Sequence, residues 1–112
     1  MIRKMIAAVA MAIAAALLVG AAAAKPPVSI NVSVKNHRFQ PAEVHAPANV
    51  PIVLRVKNLD PTPMEFESVS LRVEKVVTGN GEGIIRLRPL SAGSYNFFDD
   101  FHQETNGVLA VH

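Results

Sequence analysis

Apolar and polar residues alternate from Val28 to Val34, with Val28, Ile30, Val32 and Val34 on one side and Ser29, Asn31 and Ser33 on the other. A period of two is that of a strand with one buried face. The same period returns after Pro51, where Ile52, Leu54 and Val56 alternate with Val53, Arg55 and Lys57 until Asn58 opens a polar, proline-rich turn. Within Ile84 to Arg88, Ile85 and Leu87 alternate with Arg86 and Arg88. Tyr95 to Phe98 and Val108 to Val111 supply two more short strands, and Phe66 to Val77 has the β-branched composition of extended chain. Pro41, Pro47 and Pro51 exclude a long helix from their stretch, leaving Glu43 to His45 room for a brief strand. Turn signals at Gly79 to Gly83 and Pro89 to Gly93 separate the later strands. Short strands punctuated by turns, without a helical period after residue 24, predict an all-β Greek-key β-sandwich.

The first residues have a different pattern. Arg3 and Lys4 precede an unbroken apolar run from Met5 to Val19, which reads as a secretory signal peptide. Ala22 and Ala24 occupy the small-residue positions of an Ala-x-Ala site, so cleavage is expected between Ala24 and Lys25. The domain plan is then a leader at 1–24 and one sandwich at 25–112, with the periplasm as the expected compartment. An uncleaved anchor competes with this reading, because a spanning helix needs about 20 apolar residues. Charge follows the leader: of eleven Lys and Arg against nine acids it takes Arg3 and Lys4, leaving nine of each sign. Nucleic acid and anionic membranes thereby lose their main attraction. With no cysteine in the chain, disulfides, thiol redox chemistry and thiolate metal ligands are excluded, and a small exported domain must rely on packing or a bound metal.

Neither a glycine-rich phosphate loop, nor a nucleophile elbow, nor paired histidines at helical spacing occurs, so catalysis is left open. Two segments carry metal-ligand side chains. In the first, Asn58 to Ser68, an extended Glu65-Phe66-Glu67 sets two carboxylates on one face about 7 Å apart, with Phe66 turned to the core. Such a pair is a hard-oxygen chelate beside a cation and a solvated acidic edge without one. In the second, Tyr95 to Gly107, an aromatic strand runs into a loop where Asp99 and His102 are spaced to meet.

Here the chain resembles the cupredoxins. A plastocyanin-type cupredoxin ends its penultimate strand in Tyr-x-Phe-aromatic, then Cys-x-x-His-x-x-x-x-Met. Tyr95, Phe97 and Phe98 stand in the same places, His102 falls on the second copper histidine, Asp99 on the cysteine and Gly107 on the axial methionine. Counting from Val56-Lys57-Asn58, the first copper histidine falls on Met64 or on Glu65. The resemblance implies a sandwich that keeps one copper ligand type and lacks the thiolate of a blue site. The chain is more closely similar to cysteine-poor cupredoxin-like domains of periplasmic iron uptake, of the EfeO type, through His37 to Glu43, Glu65 to Ser68, Glu74 to Val76 and Phe98 to His102.

That resemblance implies a periplasmic protein that binds iron or copper ions through Glu65, Glu67, Asp99 and His102. It further implies a part in ferrous iron uptake, binding or oxidising iron before a periplasmic iron-binding protein or a membrane iron permease takes it. Met64 is a soft ligand or an apolar plug beside the site. His37 is a second-site candidate, His45 a solvated side chain and His112 a loose end. The other function class is a metal-free structural or interaction module whose acids are surface charge.

Overall fold

The computed structural model describes residues 25–112, and the expected leader lies outside the described residues. Nine strands follow in order: β1 (Val28–Lys35), β2 (Arg38–Gln40), β3 (Glu43–Ala46), β4 (Ile52–Asn58), β5 (Met64–Ser68), β6 (Val73–Val77), β7 (Glu82–Leu87), β8 (Gly93–Asp99) and β9 (His102–Val111). They form two sheets, ordered β2-β1-β4-β7 and β3-β9-β8-β5-β6. The β1/β4 and β3/β9 pairs are parallel, and the chain crosses between sheets to make them. This is the expected all-β sandwich.

Alternation explains the layers. Val32 and Val34 of β1, and Ile52, Leu54 and Val56 of β4, turn inward against Phe66, Phe97, Leu109 and Val111 of the other sheet. Phe39, Phe66 and Phe97 meet across the sheets with ring centroids 4.8 to 6.2 Å apart. Each buried aromatic contributes about 1.5–3 kcal/mol through burial, and each such pair about 0.5–1.5 kcal/mol more.

The extended stretch expected from Phe66 to Val77 is two strands. Ser68 Oγ accepts the N–H of Leu71 at 3.2 Å, and Arg72 takes a left-handed φ of 56°, so the chain reverses there. As a result β5 and β6 run antiparallel, with Glu67 opposite Glu74. A run of apolar residues cannot show a turn closed by a serine hydroxyl and a left-handed arginine. His112 is also better held than expected: its N–H donates to Ala46 O at 3.1 Å and its carbonyl accepts from Ala48 at 3.2 Å.

Candidate metal centre

Parity along β5 sets the first group of candidate ligands. Met64, Phe66 and Ser68 are buried toward the core, so Glu65 and Glu67 project from the outer face of their sheet. Phe66 pairs with Asp99 and Glu67 with Phe98 on β8, after which the β8/β9 ladder has a bulge at Phe98/Asp99. The Asp100 N–H then donates to Glu65 O at 2.9 Å, which holds Asp100 beside the two glutamates. Ligand oxygens of Glu65, Glu67 and Asp100 all lie within 4.8 Å of one another.

The electrostatics of this trio are unfavourable as they stand. A shared-proton contact with Glu74 is the main reason that the Glu65 carboxyl is pushed above its usual range, and burial and the charges of Glu74, Asp100 and Glu67 push the same way. Burial, followed by the charges of Asp100 and Glu74, also raises Glu67. Glu65 Oε1 is inaccessible to water and has no hydrogen-bond partner among the described residues. Crowded carboxylates with an unused oxygen could serve as donors to a cation, whose charge would offset the repulsion.

A second group lies on the inner side of the same junction. Asp99 is fully buried; its Oδ1 accepts the N–H groups of Glu65 and Phe101, each at 3.0 Å, and its Oδ2 lies 3.0 Å from His102 Nδ1. The His102 ring stacks on His37 with centroids 4.0 Å apart. Behind His37, buried Asp60 accepts the N–H groups of Asn36 at 2.7 Å and His37 at 2.9 Å. These backbone donors, that of His37 first, hold the Asp60 carboxyl below its ordinary range against the opposing effect of burial.

The five residues singled out in the sequence therefore lie around one junction but in different environments. Glu65 and Glu67 gather with Asp100, a residue that the alternation along the chain does not single out. Asp99 and His102 gather with His37 and Asp60, and Met64 is a core side chain with 2% exposure. One signal could have separated them: if Phe66 and Phe97 both face the core, parity turns Asp99 inward while Glu65 and Glu67 face outward.

A blue-copper centre does not fit these residues. The position expected for its thiolate holds Asp99, whose carboxylate is already committed to three hydrogen-bonding groups. Met64, one of two candidates for the first histidine position, lies in the core. At the methionine position, a Cβ on Gly107 would stand 2.5 Å from the Phe97 ring, so the space that a methionine needs is filled by an aromatic side chain.

Comparison with known proteins agrees with this frame. An uncharacterized protein of Rickettsia prowazekii (strain Madrid E) is 40% identical over 83 residues, a match spanning 73% of this chain and 66% of that protein's length. The metal binding domain of the Cu(I) exporting P-type ATPase CopA of Streptococcus pneumoniae D39 superposes with a TM-score of 0.71 at 15% identity, covering 81% of this chain and 91% of that domain. The blue copper protein auracyanin A of Chloroflexus aurantiacus superposes with a TM-score of 0.65 at 14% identity, covering 78% of this chain and all (100%) of its own. At such identities the two superpositions speak for the fold alone. The profile of the cupredoxin-like domain matches residues 5–111, and with the sandwich in place the chain belongs to the cupredoxin-like domain family.

Proposed function

We propose that this protein is an exported metal-binding cupredoxin that takes an iron ion through Glu65, Glu67 and Asp100. The observation that carries the reading is the trio itself, three carboxylates whose oxygens approach within 4.8 Å. An all-oxygen set suits hard and borderline ions, iron among them, whereas copper, the metal named for two of the structural neighbours, favours nitrogen and sulfur donors in its reduced form. Asp99 acts here by position, since its side chain fixes the Glu65 backbone from behind. The role that follows is capture of iron in the periplasm and release to a periplasmic iron-binding protein or a membrane iron permease. The proposal is limited to binding, the step that three carboxylates perform by themselves.

Anaerobic titration of the exported protein with Fe(II) tests the reading. One ion should bind per chain, and Glu65→Gln with Glu67→Gln should weaken it at least about tenfold, an effect of the size given by loss of a ligand or its supporting partner. Equal binding by the double variant would sink the proposal. The same preparation, analysed by mass spectrometry from the periplasmic fraction, should begin at Lys25. The metal-free interaction module keeps one observation in its favour: Val69, Val76 and Phe101, at 81%, 54% and 48% exposure, lie on or next to the acidic strands.

A further inference from the structure

Charges that cancel along a chain can still be separated in its fold. Past residue 24 there are nine bases and nine acids. On the four-stranded sheet, the residues alternating with inward Val34, Leu54, Val56 and Leu87 face outward: Lys35 beside Arg38, Arg55 and Lys57 on β4, and Arg86 on β7. Glu82 is the one acid in those four strands. Glu65, Glu67 and Glu74 project instead from the outer face of the other sheet. A molecule with no net charge thus presents a basic face and an acidic one, each with its own field.

The basic face ends in a groove. β6 and β7 are edge strands of different sheets and follow one another through a turn in which the Gly81 N–H donates to Thr78 O at 3.0 Å, so the start of β6 lies near the end of β7. There Ser70, Arg72, Arg86 and Arg88, with the buried Leu87 and Leu90, line a cavity of about 240 Å³. Arg55, on the same face, is paired with Glu82 at 3.3 Å, whereas none of the three groove arginines has an ion pair among the described residues. Arg72 also holds a left-handed φ of 56°, with its N–H donating to Val69 O at 3.2 Å. Glycine would serve that turn without strain, so what arginine adds is its guanidinium at the groove.

We propose that this groove is an oxyanion site that takes a phosphate group, either free or at the head of an anionic lipid. Three like charges around one small cavity repel one another until an anion enters. The planar guanidinium fork matches phosphate oxygens two at a time, and three forks exceed what the two oxygens of a carboxylate can use. The volume is below the roughly 300–1,000 Å³ of pockets that enclose drug-sized ligands, which limits the occupant to a small group. The site is independent of the carboxylate trio, since it lies on the opposite sheet and needs no metal.

The test has two arms, both on the whole protein at low ionic strength. In the first, inorganic phosphate is titrated while the guanidinium N–H resonances are followed; those of Arg72, Arg86 and Arg88 should move together and saturate. In the second, the protein is sedimented with vesicles of phosphatidylcholine alone or mixed with phosphatidylglycerol. Sedimentation that requires phosphatidylglycerol assigns the lipid source, and phosphate binding without it assigns a soluble one. Arg72→Gly, which suits the left-handed backbone, and Arg88→Gln should each weaken whichever binding is seen at least about tenfold, as loss of a charge-assisted pair does. Arg86→Lys keeps the charge but loses the fork and should weaken it too, while Arg55→Gln, outside the groove, should leave it unchanged. Binding to neither probe would overturn the proposal. So would binding that Arg72→Gly and Arg88→Gln leave intact, or phosphate shifts spread equally over Lys35, Arg38 and Arg55, since either result reduces the site to the general field of the face.

Discussion

Asp99 and Asp100 are neighbours in the chain with opposite surroundings. Asp99 is sealed inside the sandwich, where both oxygens are taken by Glu65, Phe101 and His102. Asp100 is on the outer face among carboxylates, where its charge helps to raise both Glu65 and Glu67. The first arrangement stabilises the fold and the second strains it. A charge that the protein uses for structure is surrounded by donors, whereas a charge left among like charges, as the proposed metal site requires, gains nothing from its neighbours until a cation is present. The β8/β9 bulge beside Asp99 is the local device that lets two adjacent residues serve both ends.

The strongest way to break this contrast is Asp99→Ala. It takes the acceptor from the part-buried N–H groups of Glu65 and Phe101 and from the His102 ring, and leaves a cavity where a fully buried side chain stood, each lost bond costing about 1 kcal/mol. A loss of about 3 kcal/mol or more is expected in denaturant unfolding, with Asp100→Ala changing little by comparison. Next comes Gly107→Ala, whose Cβ would meet the Phe97 ring at 2.5 Å; overpacking of this kind costs about 1–3 kcal/mol, read as a lower thermal midpoint. A methionine there would cost more, which is why rebuilding a blue-copper ligand set on this frame requires Phe97 to shrink as well.

The smallest effect has the opposite sign. The raised Glu67 carboxyl binds its proton more tightly folded than unfolded, so its contribution to stability is present at low pH and is lost as pH rises through the raised value. Glu67→Gln removes that loss. The metal-free variant should therefore unfold later than the parent at neutral pH, while below the ordinary carboxylate range the two should unfold alike. A variant less stable than the parent at neutral pH would show that Glu67 has a structural partner.

How much was legible in the sequence follows from what each feature depends on. The strands at Val28 to Val34 and Ile52 to Lys57 were readable because each has one buried and one wet face, and period two records that. Glu65 and Glu67 were readable as a pair for the same reason. Asp100 was not, since its place depends on a bulge and on a backbone bond to Glu65 O. Nor was the partnership of His37 with His102, because it rests on Asp60, 23 residues away in sequence, gripping a hairpin turn that carries histidine in place of glycine. Long-range hydrogen bonds to turns leave no periodic trace.

The central claim is that the outer-face trio holds a metal ion, and anomalous diffraction at the iron edge from crystals grown with Fe(II) tests it most directly. The account predicts one peak bounded by oxygens of Glu65, Glu67 and Asp100. A peak that avoids this trio, or no peak from protein that binds iron in solution, would contradict it.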